Sequence, residues 1–138
     1  MKGEILALIS AVLWGFAPIL DRYALLSGAP IYAALAIRAF GALIAMLFIL
    51  SVLRGGLAVE AKAAVLLLIA GAIGGALAMV FYYLALESVG ASRTVPITAI
   101  YPMFTALFSF LLLSEPLSPK TIAGIAFIVL GVILVSEG

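Results

Sequence analysis

The residues best suited to non-covalent chemistry lie in one stretch near the C-terminal third of the chain. At about 100° per residue on a helix, Thr94, Thr98, Tyr101, Pro102, Thr105 and Ser109 fall within a sector about 100° wide, and the opposite face is apolar. Two uses fit such a stripe. The hydroxyls can hydrogen-bond to carbonyls of their own helix or to a neighbouring helix. Alternatively, they line a wet or solute-filled cavity. Pro102 sharpens the second use, because it has no N–H to give the carbonyl of Thr98, and a freed carbonyl out of water needs another partner.

A second group lies upstream. Ser10, Trp14 and Asp21 share a helix face within about 40°. Trp14 falls near the middle of its apolar run, too deep for an indole that anchors at a membrane surface, so it needs a partner for its N–H or a cavity to face. Arg38 lies about two turns inside the next apolar run, on a face with Ala34, Gly41, Ala42 and Ala45 that suits close packing. It either points into protein, with Asp21 or Glu87 as its carboxylate, or snorkels to the headgroups. Together Asp21, Arg38 and Glu87 form a charged mouth at one end of the molecule. Glu115 and Lys120 flank a short loop on the other side, as solvated or capping groups.

The absences also bound the chemistry. There is no Cys and no His in 138 residues, so thiolates, disulfides, imidazole bases and the usual metal ligands are missing; no catalytic constellation, metal site or cofactor is expected. None of the six acidic residues falls near the centre of an apolar run, which removes the usual means of proton exchange through a buried carboxylate. A net charge of +1 on scattered basic residues offers no surface for nucleic acid.

Helices crossing a bilayer must position these groups. Two thirds of the residues are hydrophobic and 9% are charged, a balance that calls for lipid as the solvent. Spanning ~30 Å of hydrocarbon takes about 20 helical residues. Dividing the chain where charge, Gly and Pro cluster gives about five spans, over residues 4–26, 31–53, 61–88, 94–113 and 120–136. Gly28 and Pro30 suit a helix stop and start, and the Arg54-Gly55-Gly56 and Ser114 to Pro119 stretches break the pattern elsewhere. Such short connections make neighbouring helices antiparallel and leave no soluble domain. The expected fold class is an all-α integral membrane bundle. A cleaved signal peptide fits poorly, since Glu4 interrupts the basic start and no small-x-small site precedes a soluble part.

Five spans put the termini on opposite sides. The N-terminal side holds Lys2, Arg54, Lys62 and Lys120; the other holds Arg22 and Arg93, with Arg38 a third if it snorkels outward. This bias favours a cytoplasmic N-terminus, yet it is shallow enough to permit insertion in both orientations. Gly71 and Gly75, with Gly74 beside them, and Gly124 with Gly131 let backbones approach closely, within or between subunits. Tyr82, on the Gly75 face, lines a cavity or anchors at the interface with Tyr83.

Leu13-Trp14-Gly15, Arg38, Tyr83-Leu84-Ala85-Leu86, the run from Ala91-Ser92-Arg93 through Tyr101-Pro102 to Ser114-Glu115-Pro116-Leu117, and Gly124 and Gly131 occur in an order and spacing that resemble the drug/metabolite transporter superfamily, and within it an EamA-type domain. The resemblance covers nearly the whole chain. It implies a five-helix half-transporter of the kind that larger members carry twice, with the halves inverted. One copy would then act as a homodimer, parallel or antiparallel, or with a homologous inverted partner. The small four-helix exporters of that superfamily use an acidic residue in the middle of the first span, where this chain has Ser10 and Trp14. Export of small metabolites, neutral or zwitterionic, or of amphipathic compounds across the cell membrane is therefore expected over proton-coupled export of cationic drugs. The implied pathway is lined by Ser10, Trp14, Tyr82, Thr98, Tyr101, Pro102 and Thr105. A proton-coupled exporter titrating Asp21 or Glu87, and a non-transporting scaffold or accessory subunit, are the rival readings.

Overall fold

The computed structural model describes residues 2–53, 56 and 58–137, with the backbone alone at Lys2. Arg54 and the side chain of Lys2, both members of the N-terminal charge set, lie outside the described residues. The elements run α1 (Lys2–Leu26), α2 (Ile31–Val52), α3 (Ala61–Ala70), a π-helical stretch (Gly71–Leu77), α4 (Ala78–Val89), α5 (Ala91–Thr98), α6 (Tyr101–Leu113) and α7 (Pro119–Glu137). No strand occurs among the described residues. Five helical runs are long and apolar enough to cross a membrane: Gly3–Leu26, Ile31–Val52, Ala61–Val89, Ala91–Leu113 and Pro119–Glu137.

Local chemistry explains the boundaries. α1 ends in a Schellman motif: the Gly28 N–H bonds the Leu25 carbonyl at 3.0 Å and the Ala29 N–H bonds that of Ala24 at 3.2 Å, with Gly28 at φ +87°. Pro30 then caps α2, accepting the Ala34 N–H at 2.9 Å. Ser118 opens α7, its hydroxyl oxygen accepting the Thr121 N–H at 3.0 Å, and Pro119 takes the first helical position where no N–H is needed. The fourth span starts at Ala91, three residues before the position expected from the sequence. Gly90 alone separates it from the third, in a conformation (φ 77°, ψ 173°) that spares any longer loop.

The third span departs from a regular helix. Its 29 residues would reach about 43 Å as an α-helix, well beyond the hydrocarbon thickness. Over Gly71–Leu77 the hydrogen bonding switches register, and the Ala78 N–H reaches five residues back to the Ile73 carbonyl. The segment Gly-Ala-Ile-Gly-Gly-Ala-Leu holds the α register weakly, because glycine is a poor helix former.

The chain forms two compact units, residues 19–88 and residues 1–18 with 89–138. In the first, the C-terminal part of α1 joins α2, α3, the π-helical stretch and α4. In the second, α7 packs along α5 and α6. Burial is sparse: no residue of α2, α3, the π-helical stretch or α6 is buried, and Tyr83, Leu86 and Val132 are the buried hydrophobic residues among those described. These apolar faces suit lipid, since the backbone groups behind them are satisfied within each helix.

Candidate functional site

Within residues 19–88 the charged residues expected to form a mouth gather around Asp21, save the Glu87 side chain. Arg38 Nε lies 3.4 Å from Asp21 Oδ1, so Asp21 is the carboxylate that Arg38 meets. The Tyr83 hydroxyl donates to the same oxygen at 2.7 Å. One carboxylate thereby ties α1 to α2 and to α4. Its second oxygen, Oδ2, is buried with no hydrogen-bond partner among the described residues. Arg22, next in sequence, donates from Nη1 to the carbonyls of Leu86 at 2.8 Å and Glu87 at 3.0 Å, near the end of α4, where carbonyls lack helical partners and the helix dipole favours a cation. Glu87 contributes its backbone; its side chain is exposed.

Tyr83, Leu86 and Arg22 are the contributors that the sequence reading missed. Tyr83 and Leu86 stand three residues apart, a helical spacing that places them on one face at the level of Asp21, and this was the available signal. Both are fully buried, with Tyr83 1% exposed, whereas Tyr82 is half-buried with its ring centroid 6.3 Å from that of Tyr83. Beside this cluster runs an open groove of about 530 Å³ between α2 and the third span, with Arg38, Ala39, Ala42, Gly71, Gly75 and Ala76 in its walls. A β-carbon added at Gly71 or Gly75 would meet nothing within 4 Å. These glycines make room here and do not seat a neighbouring helix of the same chain. The same openness holds at Gly124 and Gly131.

The hydroxyl stripe belongs to the other unit, and its helix is broken. α5 ends at Thr98 and α6 begins at Tyr101, with a turn at Ala99 and Ile100, so the six residues do not share the continuous helix on which the stripe was drawn. Two prolines explain the break: Pro102 cannot donate to Thr98, and Pro96, which the sequence reading passed over, cannot donate to Ser92. The backbone tightens in response, with Ile100 N–H bonding Ile97 at 3.3 Å and Met103 N–H bonding Ile100 at 3.0 Å, both three residues back. The Thr98 hydroxyl donates to the carbonyls of Thr94 at 2.9 Å and Val95 at 2.8 Å, and Ser10 donates likewise to Leu6 at 3.0 Å. Their oxygens still have lone pairs to offer a solute.

Other polar groups in this unit remain unengaged. Thr94 is buried, and its hydroxyl has no hydrogen-bond partner among the described residues. Tyr101 and Trp14 are 56% and 68% exposed, and neither side chain makes a hydrogen bond among the described residues. Thr105 is exposed and Pro102 half-buried on the second piece of the stripe. Arg93 donates from Nη2 to the Ser136 carbonyl at 2.9 Å, near the end of α7, as Arg22 does for α4.

Five apolar spans, one interrupted between two prolines and one carrying a glycine-rich π turn, with hydroxyl groups and, among the described residues, the Asp21–Arg38 ion pair, define a multi-pass membrane protein of the solute-carrying class. The family comparison agrees: the chain belongs to the EamA-like transporter family, whose model matches residues 1–137. Searches against curated proteins and solved structures return no match. Family membership makes this a drug/metabolite-type membrane transporter and places it among carriers, not enzymes.

Proposed function

We propose that the chain exports small neutral or zwitterionic metabolites across the plasma membrane as a dimer of five-helix units that alternate access by rocking against each other. The observation that carries this is the broken fourth span. Discontinuous helices at membrane depth are tolerated where they line protein or a wet cavity, and Tyr101 and Trp14 carry polar groups that need a partner there. A second protomer and a solute supply what one unit leaves open: exposed aromatic ends, unoccupied glycine faces and an α2 without a buried residue. The lack of an acidic residue at the centre of any span supports transport that is not driven through a midplane carboxylate.

The test is efflux from proteoliposomes loaded with a panel of labelled neutral and zwitterionic metabolites. Thr98→Ala and Tyr101→Phe should each slow efflux of the transported compound by about tenfold, the worth of one lost hydrogen bond to the solute, while thermal stability changes little. Rates should be flat between about pH 6 and 8, as no span has an acidic residue at its centre to carry a proton. A scaffold predicts no efflux by the wild-type chain; a proton-coupled exporter predicts a steep pH dependence.

A further inference from the structure

We infer that the groove between α2 and the π-helical stretch is a binding site for an oxyanion carried on an apolar body, with Arg38 as its anion-recognising group. The inference rests on the reading of the chain as a transporter and departs from it in the solute, which here is an oxyanion on an apolar body and not a neutral or zwitterionic metabolite. The groove is half open, with a volume of about 530 Å³, so it seats one side of a small ligand and leaves the other uncovered. Alanine and glycine walls offer no side-chain donors or acceptors, so the body of the ligand must be apolar.

Arg38 is the polar exception in that lining. Its side chain is 42% exposed, its Nε faces Asp21, and its terminal amino groups make no hydrogen bond among the described residues. A guanidinium held through Nε keeps its outer edge for a bidentate contact, the geometry that suits carboxylate and phosphate. Asp21 is itself held by Tyr83, so the arginine is steadied before any ligand arrives and little ordering remains to be done on binding. A cation is the poorer occupant: the carboxylate oxygen left over at Asp21 is buried and out of reach. Gly71 and Gly75 keep the floor low, and a π turn in the wall is a feature that recurs at functional sites.

A free organic acid and the phosphate of an anionic lipid share this chemistry, and one experiment separates them. The full chain in phosphatidylcholine nanodiscs is titrated, by saturation-transfer NMR, with 4-methylpentanoate and with its uncharged amide of the same shape. The acid should bind at least about tenfold more tightly than the amide. Arg38→Gln should erase that preference, and Gly71→Leu, whose side chain enters the open groove, should weaken both ligands. Replacing a third of the lipid with phosphatidylglycerol identifies the source: loss of acid binding assigns the site to headgroups, and unchanged binding assigns it to a solute. The inference is overturned if neither probe binds, if acid and amide bind alike, or if the preference survives Arg38→Gln. Because binding is read without flux, efflux without acid binding sinks this inference alone, whereas acid binding without efflux of any compound sinks the transport reading alone.

Discussion

Asp21→Asn is expected to cost the folded chain about 2–3 kcal/mol, the largest loss of any single conservative change in residues 19–88. The side chain is 12% exposed and meets both Arg38 and Tyr83 through one oxygen. Removing its charge leaves an arginine without its carboxylate and weakens a charge-assisted hydrogen bond to a neutral one. Breaking a fully buried pair costs about 3–5 kcal/mol, and a charge-assisted bond about 1.5–3. Arg38 is 42% exposed, so water recovers part of the loss and the expectation sits below the sum. Tyr83→Phe, which removes only the hydroxyl, should cost about 1–2 kcal/mol. The double variant Asp21→Asn with Arg38→Gln should cost less than its two members added, because neither is then left facing an unmatched partner. Thermal unfolding in detergent followed by circular dichroism reads all of these. An Asp21→Asn effect under about 0.5 kcal/mol would show that the three spans are held by something else.

Gly90→Ala should cost about 2 kcal/mol, against about 1 kcal/mol for Gly28→Ala. Both glycines have positive φ, at +77° and +87°, and neither has an atom near where a β-carbon would sit, so the difference is one of backbone conformation and not of space. Gly28 occupies the left-handed position of a Schellman motif, which asparagine also adopts. Gly90, at φ 77° and ψ 173°, lies in a region open essentially to glycine alone. Gly28→Asn should therefore be nearly silent, whereas Gly90→Asn should be as harmful as Gly90→Ala. Equal tolerance at the two positions in the same unfolding assay would mean that the single-residue connection between the third and fourth spans relaxes without strain.

The spans were legible because the bilayer imposes length and composition on them: each expected run lies within three residues of the observed one. The caps at Gly28 and Pro30 were equally readable, because few residues other than glycine adopt the positive φ of Gly28 and proline fixes φ and lacks an N–H that a helix start does not need. Two departures were not. The π-helical stretch arises from a weak preference, a run of glycines in an overlong helix, that periodicity assuming 3.6 residues per turn cannot register. The break at Ala99 and Ile100 needs Pro96 as well as Pro102, and a stripe drawn at 100° per residue runs straight across it. At the charged mouth, sequence position narrowed the partner of Arg38 to Asp21 or Glu87, and the structure selects Asp21. Sequence position does not hold the information that Tyr83 turns inward while Tyr82 stays half-buried, since their roles depend on which side of α4 meets α1. Where the glycines open a groove instead of seating a helix, the packing that would fill it has to come from outside the chain.

We extend the proposed dimer to one of two oppositely inserted copies, and orientation in the membrane tests that pairing most directly. By their place between the spans, basic residues are expected to split between Lys2, Arg54, Lys62 and Lys120 on one side and Arg22 and Arg93 on the other, with Arg38 a third only if it snorkels outward. Arg22 and Arg93 are engaged near helix ends and Arg38 on a carboxylate, so this side presents its charge as part of the fold. The measurement is the location of the C-terminus in intact cells, read with two fusions: a phosphatase active only outside the cytoplasm and a fluorescent protein active only within it. Comparable activity from both fusions is the predicted result, and adding two lysines beside Lys62 should then silence the one inside. Activity from the external reporter alone in the unmodified chain would contradict the antiparallel homodimer and would require a separate inverted partner for transport.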